Sequence, residues 1–444
     1  MTRRHHGYAL LAAIVSLIVA MSVAIYAGAA SDDGTAPSAL AGPRPPYDPA
    51  APASTGTWVG SWSTSPSAAE PGTETAGLHD RSVRNVVHTS VGGTGARITL
   101  SNLYGRLPLT LTRATIALAA ADDSAAAVPR TMRRLTFNGL PTVVIPPGAQ
   151  VMSDGVRIPV PPDSDVLVTT YAPAEPGPVT VHARVRQLSY AARGERTEDV
   201  TGAPYTEQVE AWRYLTALDV LSREADGTLV AFGDSLTEGN SSTVGANRRW
   251  PDILSDRLRE AASAGQDVPR YGVVNEGIGG NRVLTGGLGR PADNPSGLSR
   301  FPRDVLGRTN VKVVVIDLGV NDILRSPTVI DPDLVLDGLR TLVGQAHARG
   351  IRVVGATLMP FGGHRGYSAE REAVRQGMNA EIRSGRLFDA VVDFDRAVRD
   401  PYDPRRFRPD YDSGDRLHPN DRGYERMARE FDLTALKGAA PAKL

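Results

Sequence analysis

The feature that most constrains this chain is a change of rhythm near Asp226. Beyond it, residues 228–232, 271–275, 311–318, 351–357 and 390–394 are continuous apolar runs. Beside them lie stretches of helical period at 250–264, 332–349, 368–384 and 421–432. Apolar strands that alternate with amphipathic helices belong to a parallel sheet covered on both faces. In such sheets ligands bind in the loops beyond the carboxyl ends of the strands. Before Asp226 the rhythm is different. Residues 83–91, 97–100, 109–118, 142–145, 166–171 and 179–185 are β-branched or alternating runs. They are bounded by turn clusters such as Gly92-Gly93, Asn138-Gly139 and Pro146-Pro147-Gly148. Strands without intervening helical period predict a β-sandwich or jelly-roll-like module. The expected order is therefore a β-sandwich-like domain over 57–225 and an α/β domain over 226–436, with a short tail at 437–444.

Ahead of both lies a segment of another kind. Arg3 and Arg4 precede an apolar run at 8–30, and Ser31, Asp32 and Asp33 follow it. A basic flank, an apolar stretch and small residues at 27–30 make residues 1–30 a signal peptide or signal anchor. The positive charge on the amino-terminal side places the rest of the chain outside the cytoplasm, secreted or held at the outer face of the cytoplasmic membrane. Contact with a membrane is expected only through this segment, if it is uncleaved. Residues 31–56 gather Pro43, Pro45, Pro46, Pro49 and Pro52, and read as a semi-extended linker.

Composition removes several classes of chemistry. The 49 basic and 49 acidic residues cancel, which argues against nucleic acid as a partner. With no cysteine there are no disulfides, thiolate metal sites or cysteine nucleophiles. No metal or organic cofactor is required by any motif.

Four loops carry candidate chemistry. The first strand runs into Gly233-Asp234-Ser235-Leu236-Thr237-Glu238-Gly239. A serine at a strand-to-helix turn aims its hydroxyl and its N–H into the crevice, although such a residue can equally be a helix cap. Thr237 excludes the G-x-S-x-G elbow. The second strand runs into Asn275-Glu276-Gly277-Ile278-Gly279-Gly280-Asn281-Arg282, where glycines let backbone N–H groups approach a ligand. After the third comes Gly319-Val320-Asn321-Asp322, whose asparagine can offer a side-chain N–H. Near the carboxyl end, Asp415-Arg416-Leu417-His418-Pro419 places a carboxylate three residues before a histidine. Together they supply a nucleophile, a base, an orienting acid and oxyanion donors, the parts that acyl transfer requires. Asp234 and Asp322 read as acceptors that fix their loops. Trp250, Trp58 and Trp62 read as core as readily as a sugar platform, and His364 as a loop residue near the crevice.

These four blocks, in this order, resemble the signature blocks of the SGNH (GDSL) hydrolases over residues 226–436. The resemblance implies a three-layer α/β/α, flavodoxin-like domain. It implies Ser235 as nucleophile, His418 as base and Asp415 as its partner, with Ser235, Gly280 and Asn321 forming the oxyanion hole. The segments Asn247-Arg248-Arg249-Trp250-Pro251, Gly355-Ala356-Thr357-Leu358-Met359-Pro360-Phe361 and Tyr411-Asp412-Ser413-Gly414-Asp415 resemble a xylan-esterase-like branch found in exported actinobacterial proteins, and Trp58 to Trp62 with Val86-Val87-His88 resembles the β module often fused ahead of that branch. The expected activity is that of a serine esterase removing short acyl groups, O-acetyl esters of carbohydrate foremost. A lipid or phospholipid esterase and an O-acyltransferase are the alternatives. The partner is then an ester substrate, an acylated polysaccharide or a lipid.

Overall fold

The computed structural model describes residues 56–286 and 294–439. Residues 1–30, expected to be a signal peptide or signal anchor, and nearly all of the Pro-rich linker lie outside the described residues. Among the described residues no helix is long and apolar enough to cross a membrane.

The amino-terminal part is rich in strands. One antiparallel sheet has the order Thr57–Ser63, Leu215–Ser222, Gly93–Ser101, Val156–Val160, with Gln150–Met152 also paired to Gly93–Ser101. A six-stranded sheet runs Glu207–Val209, Ser189–Arg193, Arg81–Thr89, Ser164–Ala172, Arg113–Leu118, Arg133–Arg134. Alternate residues of a strand point to opposite faces. Val87, Ile116, Val166 and Val168 therefore join Ile98, Leu100, Leu218 and Val220 of the first sheet in one core. Their neighbours Val86, Ala117 and Leu167 meet Tyr190, Ala192 and Tyr205 in another. Burial on both faces explains why apolar residues stand at adjacent positions in these strands, as at Val86-Val87 and Leu167-Val168. The run at 109–118 divides in two. Leu109–Leu111 pairs with Val143–Ile145, whereas Arg113–Leu118 pairs with Ser164–Ala172.

After Asp226 the sheet is parallel, in the order Tyr271–Gly277, Gly227–Gly233, Val311–Asp317, Arg352–Ala356, Ala390–Val392. In chain order that is second, first, third, fourth, fifth. The helices Trp250–Ser263, Pro332–His347, Ala369–Arg383 and Asp421–Arg429 accompany it. Their starts follow ordinary capping chemistry: the side chains of Asp331, Ser368 and Asn420 accept N–H groups of the first turn. Three further α-helical pieces of the described residues were not signalled by period, Phe394–Val398 among them. Gly297–Phe301 continues as a π-turn, Pro302–Leu306, and Val320–Arg325 spans barely more than one turn.

The two parts meet along the first strand of the molecule. The Gly60 N–H donates to Thr228 Oγ1 at 2.9 Å, and the Val273 N–H to Ser90 Oγ at 3.0 Å. Any side chain at Gly272 would stand 2.0 Å from the Gly60 carbonyl oxygen, so this contact requires glycine. Residues Thr55–Leu444 accordingly form one compact unit.

Candidate active site

The parallel strands bring the four loops together. Asp234 caps the short helix Ser235–Glu238 by accepting the Leu236 N–H at 2.9 Å, which sets Ser235 at the tip of the strand. Close approach of backbones seats this turn: a Cβ on Gly277 would lie 2.2 Å from the Glu238 nitrogen. Ser235 Oγ stands 2.9 Å from His418 Nε2, and His418 Nδ1 stands 2.5 Å from Asp415 Oδ2. The other carboxylate oxygen, Asp415 Oδ1, accepts the backbone N–H groups of Leu417 and His418 at 2.9 and 2.8 Å. Burial works against charge on Asp415. Hydrogen bonds from His418 and from these N–H groups outweigh it, and the carboxyl titrates well below the usual range. A permanent carboxylate at Nδ1 keeps the proton on that nitrogen and leaves Nε2 free to accept from the serine.

Opposite the hydroxyl lie the donors. The N–H groups of Ser235 and Gly280 have no acceptor among the described residues. Gly280 adopts a φ of 74°, a conformation that glycine reaches without strain. Asn321 Nδ2 donates one hydrogen to Asp234 Oδ2 at 2.8 Å, and Arg325 Nε donates to Asn321 Oδ1 at 2.8 Å. The amide is thereby held in one orientation with its second N–H unused. Asp322 accepts the N–H groups of Val283 and Leu284, tying the third loop to the second. Burial pushes its carboxyl up to about 6, and does the same to Asp317, which accepts from Thr237.

A brace that the sequence did not disclose stands behind both loops. Arg300 is fully buried over the Phe232 ring, 3.9 Å from its centroid. Its Nη2 donates to the Gly233 carbonyl at 2.7 Å, just before the serine turn. Its Nη1 donates to the Glu276 carbonyl, to Ser65 Oγ and to Asp304 Oδ2 at 2.8, 3.0 and 3.1 Å. Its Nε donates to Asn281 Oδ1 at 2.9 Å, Asn281 Nδ2 donates to Asn294 Oδ1 at 2.7 Å, and Asn294 Nδ2 donates to the Gly279 carbonyl at 3.1 Å. That last carbonyl shares its peptide plane with the Gly280 N–H, so one guanidinium orients both turns. Glu276 closes the cluster. Its buried carboxylate accepts from Ser63 and Ser65 of the strand-rich part and pairs with Arg308. His182 also crosses the junction, with Nε2 3.2 Å from Glu238 Oε1.

Other candidates fall outside the site. Trp250 is fully buried and stacks on Phe431 with centroids 5.4 Å apart, and Trp62 packs edge-on against Trp212 at 4.8 Å. Trp58 is covered by Arg97. A groove of about 610 Å³ opens at the amino end of Tyr271–Gly277, lined by Ser90, Val160, Ser255 and Arg270, and it contains none of the site residues. Among the described residues no cluster of three or more His, Asp or Glu side chains could hold a metal ion.

Comparison with known proteins bears on the same region. Residues 231–426 match the GDSL-like Lipase/Acylhydrolase family. Among solved structures, the chain is similar to a GDSL-like lipase from Bacteroides thetaiotaomicron, with 20% identity, a TM-score of 0.33, and 46% of this chain and 84% of that one covered. It is also similar to a carbohydrate acetylesterase from Sinorhizobium meliloti, with 18% identity, a TM-score of 0.35, and 45% and 94% covered. An acetyl xylan esterase gives 19% identity, a TM-score of 0.33, and 46% and 96% covered. No curated protein matches the chain. The family match runs from the strand before Ser235 to the helix after His418, and so takes in all four loops. The match of residues 231–426 to the GDSL-like Lipase/Acylhydrolase family, over the stretch that carries Ser235, Gly280, Asn321, Asp415 and His418, supports an esterase.

Proposed function

We propose that this protein is an extracytoplasmic serine ester hydrolase that removes short acyl groups, with O-acetyl esters of carbohydrate as the favoured substrate. The observation that carries the reading is the unbroken relay from Ser235 Oγ through His418 to the Asp415 carboxylate. In the first half-reaction His418 Nε2 takes the hydroxyl proton as Ser235 Oγ bonds to the ester carbonyl carbon. The N–H groups of Ser235 and Gly280 and the free N–H of Asn321 receive the oxyanion. The imidazolium returns its proton to the departing alcohol, leaving an acyl-serine. Water, deprotonated by the same nitrogen, then releases the acid and restores the hydroxyl.

Polar groups around the cleft, His364 and Arg325 among them, favour a polar alcohol over an acyl chain lying in a long apolar channel. The export-type segment at 1–30 supports action outside the cytoplasm. Strand order second-first-third-fourth-fifth supports a flavodoxin-like layering of the domain at 226–436. The two strand-rich sheets sharing a core support a sandwich over 57–225.

Asn321→Ala should lower kcat about 10²–10³-fold with little change in KM, because the donor acts on charge that develops during reaction. A fall in affinity alone would remove Asn321 from the oxyanion hole. The decisive experiment compares p-nitrophenyl acetate, octanoate and palmitate with acetylated xylan. Turnover concentrated on acetate and on the polymer is expected. Preference for octanoate or palmitate would make the protein a lipid esterase. Transfer of the acyl group to an added sugar in place of hydrolysis would make it an acyltransferase.

A further inference from the structure

Arg325 orients Asn321 through Nε, and the rest of its guanidinium is not used by the ester-hydrolysis reading. It ends the short helix Val320–Arg325, in which Asn321 is the second residue, so the four-residue spacing folds its side chain back along that helix. Nε is spent on Asn321 Oδ1. The flat guanidinium then lies against Gly280, where its Cζ and Nη2 would be 3.3 Å from a Cβ. It therefore rests on two of the three oxyanion groups at once, and the residue is exposed. Neither of its Nη atoms has an acceptor or a carboxylate partner among the described residues.

A second arginine lies on a loop that abuts the same helix end, since a Cβ on Gly366 would stand 3.3 Å from Leu324 Cδ2. Arg365 follows His364 on the loop beyond Arg352–Ala356, is exposed, and makes no hydrogen bond or ion pair among the described residues. Nearby arginines are treated differently by the fold. Arg416 is paired with Asp412 and Arg406 with Asp403, while Arg371 donates to the carbonyls of Gly366 and Ser326. The carboxylates of the site are committed elsewhere: Asp234 to Leu236 and Asn321, Asp322 to Val283 and Leu284, Asp415 to His418. Burial lowers the pKa of His364, and Arg365, His418 and Arg325 lower it further against the pull of Asp415. Burial likewise lowers that of Arg325, which Asp234 raises and Arg282 and Arg365 lower.

We propose that Arg325 and Arg365 form an anion-recognition subsite beside the reacting carbonyl, and that the preferred substrate is an acidic carbohydrate whose sugar carries a carboxylate near the esterified hydroxyl. The inference rests on the short-acyl ester reading above. A short acyl group leaves no room for charge on the acyl side, so the anion must belong to the alcohol. A planar guanidinium with two free N–H faces matches a carboxylate in paired hydrogen bonds. Placed against Gly280 and Asn321, it registers the ester carbonyl over the oxyanion donors.

The full-length protein would be assayed on 3-acetoxybenzoate and on its methyl ester, which differ by one charge remote from the scissile bond. Each rate is normalised to that compound's alkaline hydrolysis. Acetylated polygalacturonate and acetylated xylan form the polymer pair. A kcat/KM at least about tenfold higher for the charged member of each pair is expected at low salt, shrinking as ionic strength rises. Arg365→Ala should erase most of that ratio, lowering the rate on the charged member of each pair far more than the rate on the neutral one. Arg325→Gln should lower both rates, since it also touches Asn321, and still collapse the ratio. Equal rates for the two members, or a ratio that survives both substitutions, would overturn the proposal while leaving the esterase reading intact. A gain confined to 4-nitrophenyl hemiadipate, with its charge on the acyl side, would overturn it too. Failure to turn over any of these esters would remove both readings together.

Discussion

Ser235→Ala is expected to lower kcat on p-nitrophenyl acetate by about 10⁶-fold, the scale of loss when a nucleophile of this kind is removed. The substitution deletes the atom that bonds to the carbonyl carbon and touches little else. Ser235 Oγ has His418 Nε2 as its hydrogen-bond partner, and the turn is held by backbone and by Asp234. Thermal unfolding and the circular dichroism spectrum should therefore match those of the unaltered protein. The residual rate, set by the oxyanion donors and by binding, should stay above that of water. Turnover within tenfold of the unaltered enzyme would mean that the acyl group is carried by another residue. A large loss accompanied by unfolding would say nothing of chemistry, so the two measurements belong together.

The second large effect concerns stability. Arg300→Met keeps much of the side-chain volume and removes the charge from a fully buried cluster. Asp304 keeps Arg303 and the Gly233 carbonyl keeps the Ile278 N–H, but Asn281 Oδ1 loses its donor and the Glu276 carbonyl, without Arg300, keeps a long contact from Ser65 Oγ. Removing one partner from a buried ionic network costs about 3–5 kcal/mol, because the remaining groups are left without water or counter-charge. Urea unfolding should show a midpoint shift of that size with an unchanged slope. Ser65→Ala, which deletes one hydroxyl from the same cluster, should cost only about 1 kcal/mol. If Arg300→Met cost less than Ser65→Ala, the cluster would be a passenger in the fold and not its brace.

The parallel sheet was legible because its strands are buried on both faces and carry no polar side to confuse the period. The residues of the site were legible for a related reason: strand ends in such a sheet dictate where loops converge, and Ser235, Gly280 and Asn321 follow three consecutive strands. His418 and Asp415 could be paired because their contact is local. The strand-rich part was less transparent. Ser189–Arg193, with the sequence SYAAR, has no β-branched residue and is a strand because Arg81–Thr89 and Glu207–Val209 supply its ladders. Arg300 was invisible for the opposite reason. Its neighbours Ser65 and Gly233 lie 235 and 67 positions away, and no local pattern marks an arginine as buried.

The turn that holds Asp415 and His418 also has a bearing on how activity returns after unfolding. Closing a three-residue loop is entropically cheap, so base and carboxylate can find each other in an otherwise open chain. Joining His418 to Ser235 spans 183 positions and waits on the docking of the parallel sheet. A refolding chain would thus carry an assembled acid–base pair with nothing to activate. Recovery of ester turnover then reads the last long-range closure of the molecule, on a different clock from the recovery of its helices.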